Sequence, residues 1–307
     1  MDIRESAQQF RDIVFQVSRA INSVGVLFLM AMMFLMVVDV FLRRVFNQPL
    51  TGSFEVVQLM QVTLVYLGVA YTTVKKAHIS IDLITSHLSD RTSALLESIV
   101  LFLSLGFFAL ITWRNILRAE ELWTGKATSV LLTIPLFPFY YMLAFGCGVL
   151  CLVLLVQLVE ATSRVFKGFP GLRAGILYSL LLGVVFLGVA LCAHWIEWEV
   201  DPLLAGVLGI AMLFILMAVG MPIAFSMGLV GFAGYCYVVG VDAGFSQLES
   251  VPYGVGSDYI LSVLPLFLLM GQFAFYSGLS QDLYDTSYKW LGHYPGGLAM
   301  ATVGGCA

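Results

Sequence analysis

Forty consecutive residues, Pro202 to Val241, carry no charged side chain. About 20 apolar residues carry a helix across a hydrocarbon layer ~30 Å thick, so this run is twice as long as one crossing needs. Gly220-Met221-Pro222 interrupts it in the middle. Glycine close to proline favours a turn, which divides the run into two spans, Leu203–Ala218 and Ile223–Val239. A chain containing such a segment has to solve the problem of backbone polar groups in lipid, and helices are the default solution.

The rest of the chain follows the same pattern. Hydrophobic residues make up 60% of the sequence and charged residues 11%, against roughly 25% charged in soluble domains. Charge-poor windows place further spans at Ile21–Val38, Val56–Val74, Leu95–Trp113, Phe137–Val159, Ala174–Ile196 and Tyr259–Tyr276. Leu279–Leu291 alternates Leu279, Leu283, Tyr284, Tyr288 and Leu291 with Gln281, Asp282, Asp285 and Lys289. That pattern suits an amphipathic helix at an interface rather than a crossing. The fold class is therefore all-α, a polytopic membrane protein of about eight crossings plus an amphipathic arm helix. The first twenty residues mix both charges and do not form a cleavable signal peptide.

Orientation is read from Lys and Arg. With the N-terminus in the cytoplasm, inside segments hold ten basic residues: Arg4, Arg11, Arg19, Lys75, Lys76, Arg91, Arg164, Lys167, Arg173 and Lys289. Outside segments hold five: Arg43, Arg44, Arg114, Arg118 and Lys126. The basic, Gly- and Pro-broken stretch Ser163–Arg173 before the Ala174–Ile196 span, and Glu197, Glu199 and Asp201 after it, point to the same orientation. Three parts result: a four-helix block over 1–162, a linker with its connecting span over 163–201, and a glycine-rich apolar block over 202–307. A bacterial inner membrane is the expected location, with lipid as the surrounding partner.

Chemistry-bearing motifs are scarce. The net charge of −4 indicates no nucleic-acid partner. There is no phosphate-binding loop, GxSxG or HExxH, so neither an ATP site nor an enzyme is expected. Cys147, Cys151, Cys192, Cys236 and Cys306 are scattered through apolar runs and read as packing residues. Asp39, Arg43, Arg44 and Glu55 bracket a short outside turn containing Asn47, Pro49 and Gly52. The arginines read either as snorkelling anchors or as one half of an Arg43–Glu55 pair that fixes the first two helices or docks a partner. His78 and Asp82 stand four residues apart, the spacing of a metal pair or a proton relay, but lack a third ligand, so surface anchoring is favoured and no metal is expected.

These residues carry a resemblance. Arg43, Phe46, Asn47, Pro49, Glu55, Gly68, Lys75, His78 and Asp82, with Leu132, Ile134 and Pro135, resemble the small membrane subunit of tripartite ATP-independent periplasmic (TRAP) transporters. "GMPIAFSMGLVGF", "LPLFLLMGQFAFYSGLS" and "GHYPGGLAMATVGGCA" resemble the start of the large subunit. The resemblance is to the fused small-plus-large form, in which Ala174–Ile196 supplies the extra crossing. It implies a permease that takes an organic acid, such as a dicarboxylate or sialic acid, from a periplasmic solute-binding protein. Sodium is the implied coupling ion and no other cofactor is implied. Gly220 and Pro222 become the turn between two helices, and Pro295, Gly296 and Gly297 the approach to a first re-entrant hairpin. That hairpin is expected to be incomplete, with the solute-binding residues beyond Ala307 and no transport by these residues alone. The rival classes are the permease half of an ATP-driven importer and a non-transporting membrane scaffold.

Overall fold

The computed structural model describes residues 3–80, 90–168 and 202–306. Asp82, the crossing expected at Ala174–Ile196 and the acidic stretch Glu197–Asp201 lie outside the described residues. Among the described residues ten helices follow one another: α1 (Ile3–Val45), α2 (Ser53–Val74), α3 (Asp90–Thr124), α4 (Phe137–Gly168), α5 (Pro202–Ala218), α6 (Ile223–Val239), α7 (Val241–Gly256), α8 (Tyr259–Tyr276), α9 (Leu279–Leu291) and α10 (Gly297–Cys306). Among the described residues, α1, α2, α3, α4 and α8 are long and apolar enough to cross a membrane, and α5 and α6 are shorter apolar helices. The protein is an all-α, multi-pass membrane protein.

The first four helices overrun their apolar windows. α1 has 43 residues, about 65 Å at 1.5 Å per residue, or twice the hydrocarbon thickness. The extra turns are held by ion pairs that a hydropathy window does not count. Arg11 of α1 meets Glu160 of α4 at 3.5 Å, and Glu97 of α3 takes both Lys76 at 3.7 Å and Arg164 at 2.9 Å. These pairs mark one end of the bundle, the base. They also carry α4 on to Gly168, so the beginning of the expected linker is helix.

α4 is the central element of this block. Leu143, Leu150, Val153 and Leu154 on it are fully buried, Leu143 against Phe107 and Ile111 of α3 and the other three against Val100 of α3 and Val14 of α1 among others. The approach of α2 is set by Gly146, where a Cβ would run into the carbonyl of Tyr66. Small residues at such crossings let backbones approach closely, which is the main route to helix association where lipid supplies no hydrophobic drive.

The second block docks on the first. α5 ends in a Schellman motif: Met221 N–H donates to Leu216 O at 3.1 Å and Gly220 N–H to Met217 O at 3.0 Å. Gly220 takes the left-handed φ of +95° that this cap requires. Met221 and Leu216 are both buried in the core around α4. The next donor, Ile223 N–H, bonds the carbonyl of Ile79 at 3.1 Å, which places the α5–α6 turn at the base. α6 returns to the opposite end, the rim, where α8 starts with Tyr259 stacked on Phe54 at 3.8 Å. α9 has no buried residue. Pro295, Gly296 (φ +82°) and Gly297 reverse the chain after it, and α10 runs back so that Gly304 faces Ser287 and Leu291.

One helix has no counterpart among the elements expected from the sequence. Val241–Gly256 carries Asp242, Glu249 and Pro252, which together resemble a loop, and its helical character comes from the surface it lies on. Among the described cysteines, Cys147 and Cys236 are buried and Cys151 partly so, all as free thiols.

The Gly146 contact yields a test. A leucine there would have to push α2 away from α4, and overpacking of this kind costs roughly 1–3 kcal/mol. Gly146→Leu should lower the detergent-solubilised protein's midpoint of thermal unfolding by several degrees. Gly106→Leu, where a Cβ meets nothing within 4 Å, should leave it nearly unchanged.

Candidate functional site

Among the described residues, polar side chains gather at the base, at the rim and at the seam between the two blocks. At the rim, the α1–α2 turn is built around Asp39, which is buried. One carboxylate oxygen accepts the Leu50 N–H at 2.8 Å and the other accepts Arg43 Nη2 at 2.6 Å. Asn47 sits in the left-handed region at φ 54°, which asparagine tolerates better than most residues. Gly52, at φ 82°, lies directly under the side chain of Leu132.

Glu55 does not pair with Arg43. Its carboxylate accepts Ser129 Oγ at 2.7 Å, Leu131 N–H at 2.7 Å and Leu132 N–H at 2.9 Å. The expectation of an Arg43–Glu55 pair is therefore corrected. Arg43 lies four residues after Asp39 on the same helix face, and Glu55 sits under a loop that turns its backbone donors toward the carboxylate. That loop, between α3 and α4, is a short hairpin closed by Ser129 N–H to Ile134 O at 2.8 Å and Leu136 N–H to Ala127 O at 3.2 Å. Its tip is apolar and exposed, with Val130 at 93% and Leu131 at 63% exposure. Glu55 thus holds up an apolar knob at the rim.

His78 sits at the base. Its Nε2 lies 2.8 Å from Thr73 Oγ1, and the ring packs 5.0 Å from Phe225 of α6. Thr73 Oγ1 donates to Val69 O at 3.0 Å, so its lone pair is free to accept from Nε2–H. Burial pushes the imidazole pKa below its ordinary 6.5. Among the described residues no group of three His, Cys, Asp or Glu could hold a metal ion.

The seam lies between α7 and the rim halves of α2, α3 and α4. Asn115 Nδ2, fully buried, donates to Leu248 O at 2.9 Å. Arg114 pairs with Glu249, and Tyr66 Oη donates to Pro252 O at 2.6 Å. Tyr140 stacks on Tyr253 with ring centres 4.3 Å apart. None of these residues stands out in the sequence as a site. The available signal is an amide, Asn115, just past the end of the Leu95–Trp113 span, together with an isolated Pro252. Beside the seam, α1, α2 and α8 enclose a cavity of about 610 Å³ lined by Leu29, Leu64, Leu264, Pro265 and Leu268, with Gln61 and Gln272 as polar members. Its walls suit hydrocarbon and not a charged solute.

Comparison with known proteins now gives the lineage. Residues 32–164 match the family model of the DctQ component of tripartite ATP-independent periplasmic transporters, and residues 210–307 match that of the DctM component. The chain belongs to the TRAP transporters. It joins a DctQ block and DctM sequence in one polypeptide, and the seam described above is one of the contacts between them. It is similar to the isethionate TRAP transporter permease protein DctMQ of Oleidesulfovibrio alaskensis, 25% identical over 252 residues. That match covers 82% of this chain and 37% of the relative.

Two outcomes test this TRAP component's local chemistry. Glu55→Ala should leave the hairpin tip without its anchor, so that protease cleavage between Ser129 and Thr133 accelerates several-fold in detergent, while Arg43→Ala does not change it. The lowered His78 pKa means that the folded chain binds this proton less tightly than the unfolded chain does. Its contribution to stability is present above about 6.5 and is lost as pH falls through it. Thermal unfolding followed from about pH 8 to 5 should show this loss, and His78→Gln should flatten that part of the curve.

Proposed function

We propose that this chain forms the membrane part of a sodium-coupled importer that receives an organic anion from a periplasmic solute-binding protein. The observation that supports it best is the order of the two matches in one chain, DctQ then DctM, with the two blocks packed through a polar seam. The DctQ block is the static support in this reading. Its helices are long, cross-braced at the base and packed at Gly146 without room to slide.

The chain sits in the inner membrane with its N-terminus in the cytoplasm, as the ten-to-five distribution of basic residues favours. The rim then faces the periplasm. The exposed Val130-Leu131 knob over Glu55 is the surface offered to the binding protein, and Arg43, Asn47 and Glu55 shape it without touching solute. Solute and sodium belong to the DctM side. Half-helix ends and unwound backbone of the kind found at transporter hairpins suit an anion and a cation respectively, and Pro295-Gly296-Gly297 leads into the first such arm. The solute is a small organic acid. The named relative handles isethionate, a sulfonate, so carboxylates and sulfonates are both within the class.

Because the chain spans 37% of that relative's length, the assay supplies the remaining DctM sequence in frame. Proteoliposomes are given an inward sodium gradient, a cognate periplasmic solute-binding protein and a labelled organic acid. Uptake should require both the gradient and the binding protein. Replacing the tip residues with Val130→Asp and Leu131→Asp should reduce uptake at least several-fold without changing solute binding by the isolated binding protein. Uptake that proceeds without sodium or without the binding protein would refute the proposal.

A further inference from the structure

The seam contains a matched pair of defects. In a helix each N–H bonds the carbonyl four residues earlier, so the donor for Leu248 O should be residue 252. That residue is Pro252, which has no N–H. The unmet carbonyl receives Asn115 Nδ2 from α3 instead, at 2.9 Å and fully buried. One turn on, the Pro252 carbonyl itself accepts Tyr66 Oη from α2 at 2.6 Å. Between them Glu249 receives Arg114. Residues 248, 249 and 252 share one face of α7, and in all three contacts the DctQ block donates and α7 accepts.

We infer that α7 is the docking element by which the DctM block is recognised by the DctQ block, and that the feature read is the backbone carbonyl left open by Pro252. This inference does not depend on the transport reading. An unmet carbonyl buried in an apolar setting is costly unless a partner meets it. A helix carrying one has a strong preference for a surface with a donor at that point, and Asn115 is that donor. Asn115 also donates to Ile111 O of its own helix at 2.8 Å, which fixes the amide's rotation and aims the second N–H outward. Aromatic stacking of Tyr140 on Tyr253 and the approach of Gly256 to the Tyr66 ring align the rest of the face. The seam is thus a lock specified by position: a proline on one block and an amide on the other.

The experiment keeps the full chain and separates its halves afterwards. A protease site is placed between residues 169 and 201, the protein is purified in mild detergent through an N-terminal tag and then cut. The fraction of the C-terminal half retained on the tag is measured. The native halves should stay together. Asn115→Leu should weaken retention about tenfold, the effect of leaving one buried polar group unmet. Pro252→Ala restores an N–H at residue 252, so it should leave retention within about twofold of native in either background, rescuing Asn115→Leu. That rescue also demonstrates that the Asn115→Leu chain folds. Separation of the native halves, native-like retention by Asn115→Leu, or failure of Pro252→Ala to rescue it would each overturn the inference.

Discussion

Every backbone N–H and C=O that enters hydrocarbon must find a partner inside the protein, because no water is there to supply one. The architecture can be followed from this constraint. The apolar runs are helical because a helix satisfies its own ladder. The breaks in the ladder are where the structure becomes specific. Gly220 closes the end of α5 with its own cap and passes the next donor, Ile223 N–H, to Ile79 of the other block. Pro252 opens a gap in α7 that Asn115 fills. At the rim the hairpin after α3 turns two N–H groups inward to Glu55. In each case a local break in secondary structure is repaired by a residue distant in sequence, and each repair ties two segments together.

This division explains how much of the fold is legible in the sequence. Apolar spans report the backbone problem directly, so the seven spans expected within the described residues all coincide with helices, five of them long and apolar enough to cross a membrane and α5 and α6 shorter. The turn at Gly220-Met221-Pro222 is legible for the same reason. Helix ends are not. Arg11, Lys76 and Arg164 look like loop charges in a window, yet Arg11 and Arg164 lie on helices that continue past the apolar zone and Lys76 follows the end of α2. α7 escapes a sequence window because its stability is tertiary. Taken in isolation, Asp242, Glu249 and Pro252 argue against a helix, and it is the donors on α2 and α3 that make one favourable.

The rim residues show a similar limit. Motif and spacing draw attention to Arg43, Asn47 and Glu55, and all three do build the turn region. Sequence distance makes Arg43 and Glu55 natural partners across a short loop. The structure instead gives Arg43 to Asp39, one helical turn away, and gives Glu55 to a segment more than seventy residues downstream. A carboxylate that accepts backbone N–H groups leaves no trace in the identity of the residues donating them, since every non-proline residue carries that donor.

The seam has a further meaning for a polypeptide in which both blocks are joined. Three polar contacts and a pair of stacked rings form a modest surface, and between separate chains such a surface would have to overcome the lost freedom of association. Covalent connection removes most of that burden by keeping the two faces at a high effective concentration. The lock need not be tight to remain closed. It can therefore be tuned for where α7 sits and not for how strongly it holds, and small changes in the repertoire of donors on α2 and α3 could shift the register of the DctM block without releasing it.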